Sequence, residues 1–233
     1  MPEFMTRGVA LIIPVLNEGE TIAAVVRAVP RDVVDEVIVV DGGSADDTVA
    51  RAKNAGARVI VEQRSGYGAA CLAGVRVTHR RVVVFIDGDG SDDPAEIPRL
   101  LRPILAGEAD FVMGSRSRGA REKGSMGFHQ LIAGTIAGLI LRALYGVRYT
   151  DMCPLRAIRR DALEQLNMRE KTYGWNLEMQ MRAARAGLRI LELPVRHRNR
   201  AGGASKVAGS LSGSLKASWQ IAAALVRIAG NMR

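Results

Sequence analysis

Short apolar runs alternate with amphipathic stretches in the first half of the chain. The runs are rich in β-branched residues, which predicts strands at residues 9–13, 37–40, 58–61, 82–86 and 110–113. The stretches between the first four runs have helical periodicity and predict helices at residues 21–29, 46–55 and 68–78. Because strands that alternate with helices build parallel sheets, we predict an α/β fold with a mostly parallel sheet flanked by helices.

The second half of the chain is less regular. Its pattern predicts a loop, an apolar helix, two shorter helices, a late strand at the sheet edge, a basic mobile loop and a last helix, at residues 114–128, 130–144, 160–166, 176–186, 188–195, 196–213 and 215–228. No repeat or clear linker interrupts the chain. We therefore predict a single domain with a helical C-terminal elaboration.

Polar residues at helix ends give three more specific expectations. Ser44 is expected to cap the helix at residues 46–55 through its side-chain oxygen, and Gly56 to end it. Asp93 stands directly before Pro94, which is a common helix start, so we expect it to be an N-cap. Residues 1–4 precede a second methionine, Met5, and are interpreted as a cloning remnant outside the domain.

Three loops that follow predicted strands carry the most unusual chemistry. They are Pro14–Glu18, Asp41–Ser44 and Asp87–Asp93. Ligands of open α/β sheets bind at the carboxyl ends of strands, so the three loops are expected to converge on one crevice. Asp87 and Asp89 are separated by one small residue and would point the same way on an extended segment. Such oxygen ligands suit Mg²⁺ or Mn²⁺ bound together with substrate phosphates; the alternative is a solvated acidic turn.

The other polar residues of this predicted edge each allow two interpretations. Asp41 is either an acceptor for a base N–H or ribose hydroxyl, or an ordinary turn residue before two glycines. Asn17 and Glu18 either contact a ligand or cap the next helix. Gly66 opens a Gly-rich helix start at residues 66–70, which either lets the backbone approach a ligand or makes a plain strand-to-helix turn.

Composition and charge narrow the class of protein. With 233 residues, of which 48% are hydrophobic, the chain can bury a sizeable core, which excludes disordered and fibrous classes. The net charge of +9 is uneven, at −5 for residues 1–115 and +14 for residues 116–233. A basic half suits nucleic acid, an anionic membrane surface or phosphorylated small molecules. Aromatic residues make up only 4% of the chain, which offers little base stacking. The acidic loop at residues 87–93 would also repel a phosphate backbone, so nucleic-acid binding is the distant alternative.

Other signals bear on compartment and on competing functions. Cys71 and Cys153 are expected to be buried thiols in a reducing compartment. We find no secretory signal, and the longest apolar stretch, residues 131–141, is too short to span a bilayer, so a cytoplasmic location is expected. The first strand does not lead into G-x-G-x-x-G, which argues against a dinucleotide-binding oxidoreductase.

Four segments together resemble the successive signature loops of family-2 glycosyltransferases with the GT-A fold. They are residues 12–18, 37–44, 66–70 and 85–89, in the family's order. Residues 114–116 and 202–206 resemble the polyprenyl-phosphate or dolichyl-phosphate sugar synthase branch. Many members of that branch carry membrane helices after the catalytic domain. Members also often have a metal-binding Gln at the position where this chain has Ser91. That difference puts a third protein ligand of the metal in doubt.

The resemblance implies an inverting, metal-dependent hexosyltransferase that uses a nucleotide diphosphate sugar, with UDP as the expected nucleotide. A polyprenyl phosphate is the favoured acceptor, and a hydroxyl of a glycan or small molecule is the alternative. Residues 5–115 would bind the donor and residues 116–233 the acceptor. Pro14, Asn17, Glu18, Asp41 and Gly66 would lie at the nucleotide. Asp87 would lie near the ribose or donor sugar and help hold Mg²⁺ or Mn²⁺, and Asp89 would be the direct metal ligand.

The second half supplies the remaining candidates. Arg116, Arg200 and Lys206 are expected at phosphate groups. Glu178 is a base for a hydroxyl acceptor, a partner for an arginine, or a solvated helix residue; an ionised phosphate acceptor would need no base. Trp175 and Tyr173 flank the substrate or pack in the core. The apolar helices near residues 130–144 and 211–226 either lie in a membrane interface, at the inner face of the membrane, or pack against the sheet or a second subunit of a homodimer.

Overall fold

The structure is a computed structural model that describes residues 8–64, 66–122 and 138–200, together with residues 227 and 230. A seven-stranded sheet organises this part of the chain. Its strands are β1 (Val9–Val15), β2 (Glu36–Asp41), β3 (Arg58–Val61), β4 (Val82–Phe85), β5 (Phe111–Ser115), β6 (Arg156–Arg159) and β7 (Ile190–Pro194). They lie in the order β3-β2-β1-β4-β6-β5-β7. The mostly parallel sheet expected from the sequence is confirmed.

Helices cover both faces of the sheet, and all but the one at Ile97–Leu105 lie close to ranges expected from the sequence. They are α1 (Ile22–Arg27), α2 (Thr48–Asn54), α3 (Tyr67–Val77), α4 (Ile97–Leu105), α5 (Arg160–Leu166) and α6 (Trp175–Arg185). Residues 138–145 are also helical. The bounds of α5 are those expected from the sequence. The remainder of the predicted helix at 130–144, and nearly all of the segments at 196–213 and 215–228, fall outside the described residues.

The core is divided between the two faces of the sheet. Successive side chains of a strand point to opposite faces, so Ile12 joins one buried cluster and Ile13 the other. One cluster lies under α3, α5 and α6, and the other under α1, α2 and α4. A sheet covered on both faces needs strands that are apolar at every position, and all seven residues of β1 are buried. Cys71 and Cys153 are buried free thiols, as expected.

Strand β6 was not predicted from the sequence. It runs antiparallel to both of its neighbours, β4 and β5. Its first residue, Arg156, is fully buried, so the pattern of apolar positions that normally reveals a central strand is broken there. The guanidinium donates hydrogen bonds to carbonyl oxygens of Cys153 and Asn176 and lies 5.9 Å from the ring centre of Phe111. These partners make burial of the charged group tolerable.

The ends of α2, α4 and β5 differ in part from those expected from the sequence. Gly56, at φ +91°, follows α2 as expected. The Ser44 cap is wrong, because Asp47 occupies the N-cap position and the Ser44 hydroxyl donates to Asp41 instead. Asp93 is an N-cap, since its Oδ1 accepts a hydrogen bond from the amide of Ala95 at 3.1 Å. The loop predicted at 114–128 begins at residue 116 in the structure, because Gly114 and Ser115 belong to β5.

Candidate active site

The loops after β1 and β2 are joined by hydrogen bonds at the carboxyl edge of the sheet. Strands β2, β1 and β4 are neighbours, so the three loops that follow them share one edge. The amide of Asn17 donates to the Ser44 hydroxyl at 2.8 Å, and Asn17 Oδ1 accepts from the amide of Ala45 at 2.8 Å. Asn17 adopts φ +54°, a backbone conformation in which asparagine is common. Asn17 therefore holds the two loops together.

Asp41 forms the turn that closes β2. Its carboxylate is almost fully buried and accepts hydrogen bonds from the amides of Gly43 and Ser44 at 3.0 and 2.9 Å, and from the Ser44 hydroxyl. Pro14 lies one strand away, within β1, paired with Val40. The amide of Glu18 donates to the Thr48 hydroxyl at 2.9 Å. These residues form a rigid rim in which Asp41 already has its turn partners.

Asp87, Gly88 and Asp89 come after the end of β4, as expected, with only Ile86 between them and the strand. A Cβ atom at Gly88 would lie 2.5 Å from Val15 Cγ1, so a glycine is needed where this loop crosses the end of β1. Asp89 is buried, and its Oδ1 accepts from the amide of Ser91 at 2.9 Å. Asp92 is also buried, and its Oδ1 lies 3.6 Å from Nδ1 of the buried His197. Three carboxylates therefore lie in a poorly solvated loop.

The electrostatics of this loop favour a bound cation. Burial, together with the negative charges of Asp92 and Asp89, raises the pKa of Asp87 to about 8. Asp87 Oδ1 and Asp92 Oδ2 are buried and accept no hydrogen bond from the described residues. Buried oxygens of this kind fit a divalent ion that prefers carboxylate ligands. Within the described ranges, no group of three or more His, Cys, Asp or Glu side chains has the arrangement of a complete metal site.

The segment that follows β7 lies along this acidic loop. The amide of Arg198 donates to the carbonyl of Ser91 at 2.8 Å, and its guanidinium donates to Asp93 Oδ2 at 2.8 Å. Arg200 Nε lies 2.9 Å from Asp89 Oδ2. The structure thus brings together Asp89 and Arg200, two residues that the sequence assigned to the metal and to phosphate. Lys206 lies outside the described residues.

Arg116 makes a close ion pair near the end of β5. Its Nε and Nη2 donate to the two carboxylate oxygens of Asp151 at 2.8 and 2.7 Å. Despite burial, the pKa of Arg116 is raised by this hydrogen-bonded carboxylate, and the pKa of Asp151 is lowered. The sequence did not single out Asp151, because an isolated acidic residue in an irregular stretch carries no pattern. Arg198 was not singled out either, because its only signal in the sequence is its place in a basic segment.

Glu178 lies in the first turn of α6 and is buried. Its oxygens accept hydrogen bonds from the amides of Arg169 and Glu170, the shortest at 2.7 Å, and from Arg182 Nε at 2.8 Å. Because both oxygens are occupied, the geometry favours the arginine-partner interpretation. The interpretation of Glu178 as a solvated helix residue is wrong, because the side chain is buried. The general-base interpretation lacks a free carboxylate oxygen that could accept a proton.

The aromatic residues of this region divide between core and surface. Trp175 is buried and packs edge-on against Phe85, with ring centres 6.1 Å apart, so it is a core residue. Tyr173 is 66% exposed. At Gly66 the close approach is to the chain itself, since an added Cβ would lie 2.2 Å from the Lys171 carbonyl oxygen. The amide of Ala69 also donates to that oxygen at 3.0 Å.

Comparison with known proteins identifies the family. The sequence model described as glycosyl transferase family 2 matches residues 10–166, which include β1 to β6 and the acidic loop. The chain belongs to glycosyl transferase family 2. The GT-A fold expected from the sequence is confirmed by its structural neighbours.

Two relatives and one solved structure illustrate the similarity. An uncharacterized glycosyltransferase of Mycobacterium tuberculosis is 39% identical over 211 residues, covering 89% of this chain and 93% of the relative. An undecaprenyl-phosphate mannosyltransferase of Micrococcus luteus is 33% identical, covering 88% of this chain and 89% of the relative. The crystal structure of glucosyl-3-phosphoglycerate synthase from M. tuberculosis, in complex with Mn²⁺, UDP and glucosyl-3-phosphoglycerate, is 28% identical. It has a TM-score of 0.76 and covers 96% of this chain and 80% of that one.

The described helices do not include a membrane span. None of them has both the length and the apolar character required to cross a bilayer. Within residues 138–145, however, Leu139 and Leu144 are each 60% exposed, close in sequence to the exposed Arg142 and Arg148. Residues 139–148 therefore expose both apolar and basic side chains.

Proposed function

We propose that this glycosyltransferase moves a sugar from a UDP-sugar to a polyprenyl phosphate, with inversion at the anomeric carbon and with the help of Mn²⁺ or Mg²⁺. One observation carries the proposal. Asp87 and Asp89 lie at the carboxyl end of β4 with buried carboxylate oxygens, beside Arg200, where an ion and a diphosphate would be held together.

The donor half of the site is assigned to the rim of the sheet. Pro14, Asn17, Glu18, Asp41 and Gly66 would surround the nucleotide, and the buried Asp41 turn would fix the rim against which a ribose lies. Asp89 and Asp87 would hold the divalent ion. When bound, that ion would stabilise the negative charge of the departing diphosphate.

The acceptor assignment follows from Glu178 and from the basic residues. A hydroxyl acceptor needs a base with a free oxygen, whereas a phosphate acceptor is already ionised and needs none. The occupied carboxylate of Glu178 therefore supports a phosphate acceptor. Arg200 and Lys206 would contact phosphate groups, and Arg116, locked to Asp151, would contribute positive charge from the side.

The similar proteins support this choice in part. The relative from Micrococcus luteus is named for undecaprenyl phosphate, and the synthase from M. tuberculosis was solved with UDP and Mn²⁺. The second candidate is a hydroxyl acceptor, supported by related structures of that synthase in complex with phosphoglyceric acid. A lipid acceptor also implies a protein at the inner face of the membrane, in contact with the bilayer through the Leu139 and Leu144 surface.

The metal role of Asp89 is tested by Asp89→Asn. We expect transfer from UDP-sugars, measured as kcat/KM with Mn²⁺, to fall by about 10²-fold or more, because an amide loses the charge that holds the ion. The matched control is Asp47→Asn, which removes an exposed carboxylate paired with Arg51 and should leave transfer unchanged. Full activity of Asp89→Asn, or of the wild type in excess chelator, would contradict the proposal.

The substrates are tested by a matrix of donors and acceptors. UDP- and GDP-sugars are each incubated with undecaprenyl phosphate, with phosphoglyceric acid and with a simple glycan. We expect product only with a UDP-sugar and the lipid phosphate, and NMR of the anomeric carbon should show inverted configuration. Transfer to phosphoglyceric acid would favour the second candidate. Transfer from GDP-sugars would overturn the assignment of UDP as the nucleotide of the donor.

A further inference from the structure

The segment at residues 195–200 is held on both sides. On one side the amide of Arg198 bonds to Ser91, and Asp92 forms an antiparallel bridge with His197. On the other side the amide of His197 donates to the Ala120 carbonyl at 3.0 Å, and the His197 carbonyl accepts from the amide of Glu122 at 3.1 Å. The backbone of this segment is therefore fixed independently of its arginine side chains.

The two arginines of the segment have different partners on the acidic loop. Arg198 pairs with Asp93, whose other oxygen caps the turn at Pro94–Glu96. Arg200 pairs with Asp89, the residue assigned to the metal. The first pair thus belongs to the framework of the loop, whereas the second occupies a carboxylate oxygen that an ion would use.

The Asp89–Arg200 pair is asymmetric in burial. The side chain of Asp89 is 4% exposed, whereas that of Arg200 is 37% exposed. Removing the partner of a buried carboxylate is costly, because the charge is left uncompensated. Arg200, in contrast, can regain water at little cost. Loss of the pair therefore costs more at Asp89 than at Arg200, and Arg200 is the partner that can leave when another cation takes its place.

We propose that Arg200 is a built-in counter-ion of Asp89, which occupies the carboxylate in the donor-free protein and must be displaced before a divalent ion can bind. This inference rests on the metal role of Asp89 in the proposed function. Displacement frees a guanidinium at the place where a diphosphate would arrive with the ion. Arg200 thus lowers the affinity for the ion alone and favours binding of ion and donor together.

The inference is tested by Mn²⁺ titration without donor, followed by the electron paramagnetic resonance signal of free Mn²⁺. When a ligand binds only the fraction of protein in the competent state, its apparent affinity falls by that fraction. If Arg200 occupies Asp89 in about nine molecules of ten, Arg200→Gln should bind Mn²⁺ about tenfold more tightly than wild type. Adding UDP should reduce this difference, because the diphosphate gives Arg200 another partner.

Two variants act as controls. Arg198→Gln removes an equal charge from the same segment without touching Asp89, and its Mn²⁺ affinity should stay within about twofold of wild type. Asp89→Asn should abolish Mn²⁺ binding both in the wild type and in the Arg200→Gln variant. Circular dichroism of each variant confirms that it is folded.

Three results would overturn the inference. They are equal affinity of Arg200→Gln and wild type, an equal gain in Arg198→Gln, which would indicate general electrostatics, and absence of Mn²⁺ binding by all of the proteins. None of these measurements involves sugar transfer, so failure of the proposed transfer reaction would be seen separately.

Discussion

Gly66 and Gly68 join the start of α3 to the second half of the chain. A Cβ atom at Gly68 would lie 2.2 Å from the carbonyl oxygen of Glu170, and one at Gly66 would meet Lys171. These neighbours are backbone atoms, which cannot move aside as a flexible side chain can. The segment near residue 170 is in turn held by Glu178. The glycines thus link a predicted nucleotide loop to α6.

We predict that Gly68→Ala destabilises the protein by about 1–3 kcal/mol, the usual cost of overpacking, even though alanine favours helices. Urea unfolding measures the change. The control is Gly42→Ala, where the nearest atom would be 3.4 Å from the new methyl group and the change should stay within about 0.5 kcal/mol. A neutral or stabilising Gly68→Ala would contradict the close approach.

Asp110 connects three strands through its carboxylate. It precedes β5, and its carboxylate binds Arg159 at the end of β6 and Arg189 just before β7, at distances of 2.8 to 3.1 Å. Hydrogen bonds from Arg189 and, to a smaller extent, the charge of Arg159 lower the pKa of Asp110 to about 2. This single carboxylate anchors the outer strands.

The lowered pKa makes the contribution of Asp110 dependent on pH. Because the folded pKa lies below the unfolded value, the stabilisation is fully present above about pH 4 and is lost as the pH falls toward 2. The arginines are partly exposed, so we expect Asp110→Asn to cost only about 1–2 kcal/mol at pH 7 and almost nothing near pH 2. Urea titrations at both pH values check this. Asp47→Asn, in an exposed pair, should show no such difference, and a constant deficit at both pH values would contradict the prediction.

The elements also show how far the sequence could be interpreted. Strands β1 to β5 and helices α1 to α3 follow from apolar pattern and turn residues, and their ends differ from expectation by only a few residues. Strand β6 did not follow, because a buried arginine reads as polar in any pattern. The acidic loop was identified from its motif, whereas its pairing with Arg198 and Arg200 depends on contacts across more than 100 residues.

Charge is distributed unevenly over the whole molecule. The net −5 of residues 1–115 includes the acidic loop, and the net +14 of residues 116–233 includes the arginines that face it. The basic excess therefore has two uses in the proposed function, one at the diphosphate and one toward an anionic surface. Exposed Leu139 and Leu144 near Arg142 and Arg148 give the second use a location.

We predict that the protein sediments with phosphatidylglycerol vesicles and not with neutral phosphatidylcholine vesicles. Attraction between basic side chains and anionic lipid is screened by salt, so binding at about 0.05 M salt should largely be lost at about 0.5 M. Leu144→Ser should weaken binding, whereas Leu105→Ser, on the exposed end of α4, should not. Equal sedimentation with both lipids would contradict a basic membrane surface.

The antiparallel strand β6 has a consequence for how the protein folds while it is being synthesised on the ribosome. The polypeptide emerges from its N-terminus, so β4 and β5 are made before the strand that lies between them. Until residue 159 has left the exit tunnel, each presents an unpaired edge of the kind that associates with other chains. The first five strands therefore keep open edges during synthesis, and the strand that closes the edges of β4 and β5 comes from a part of the chain that has yet to be translated.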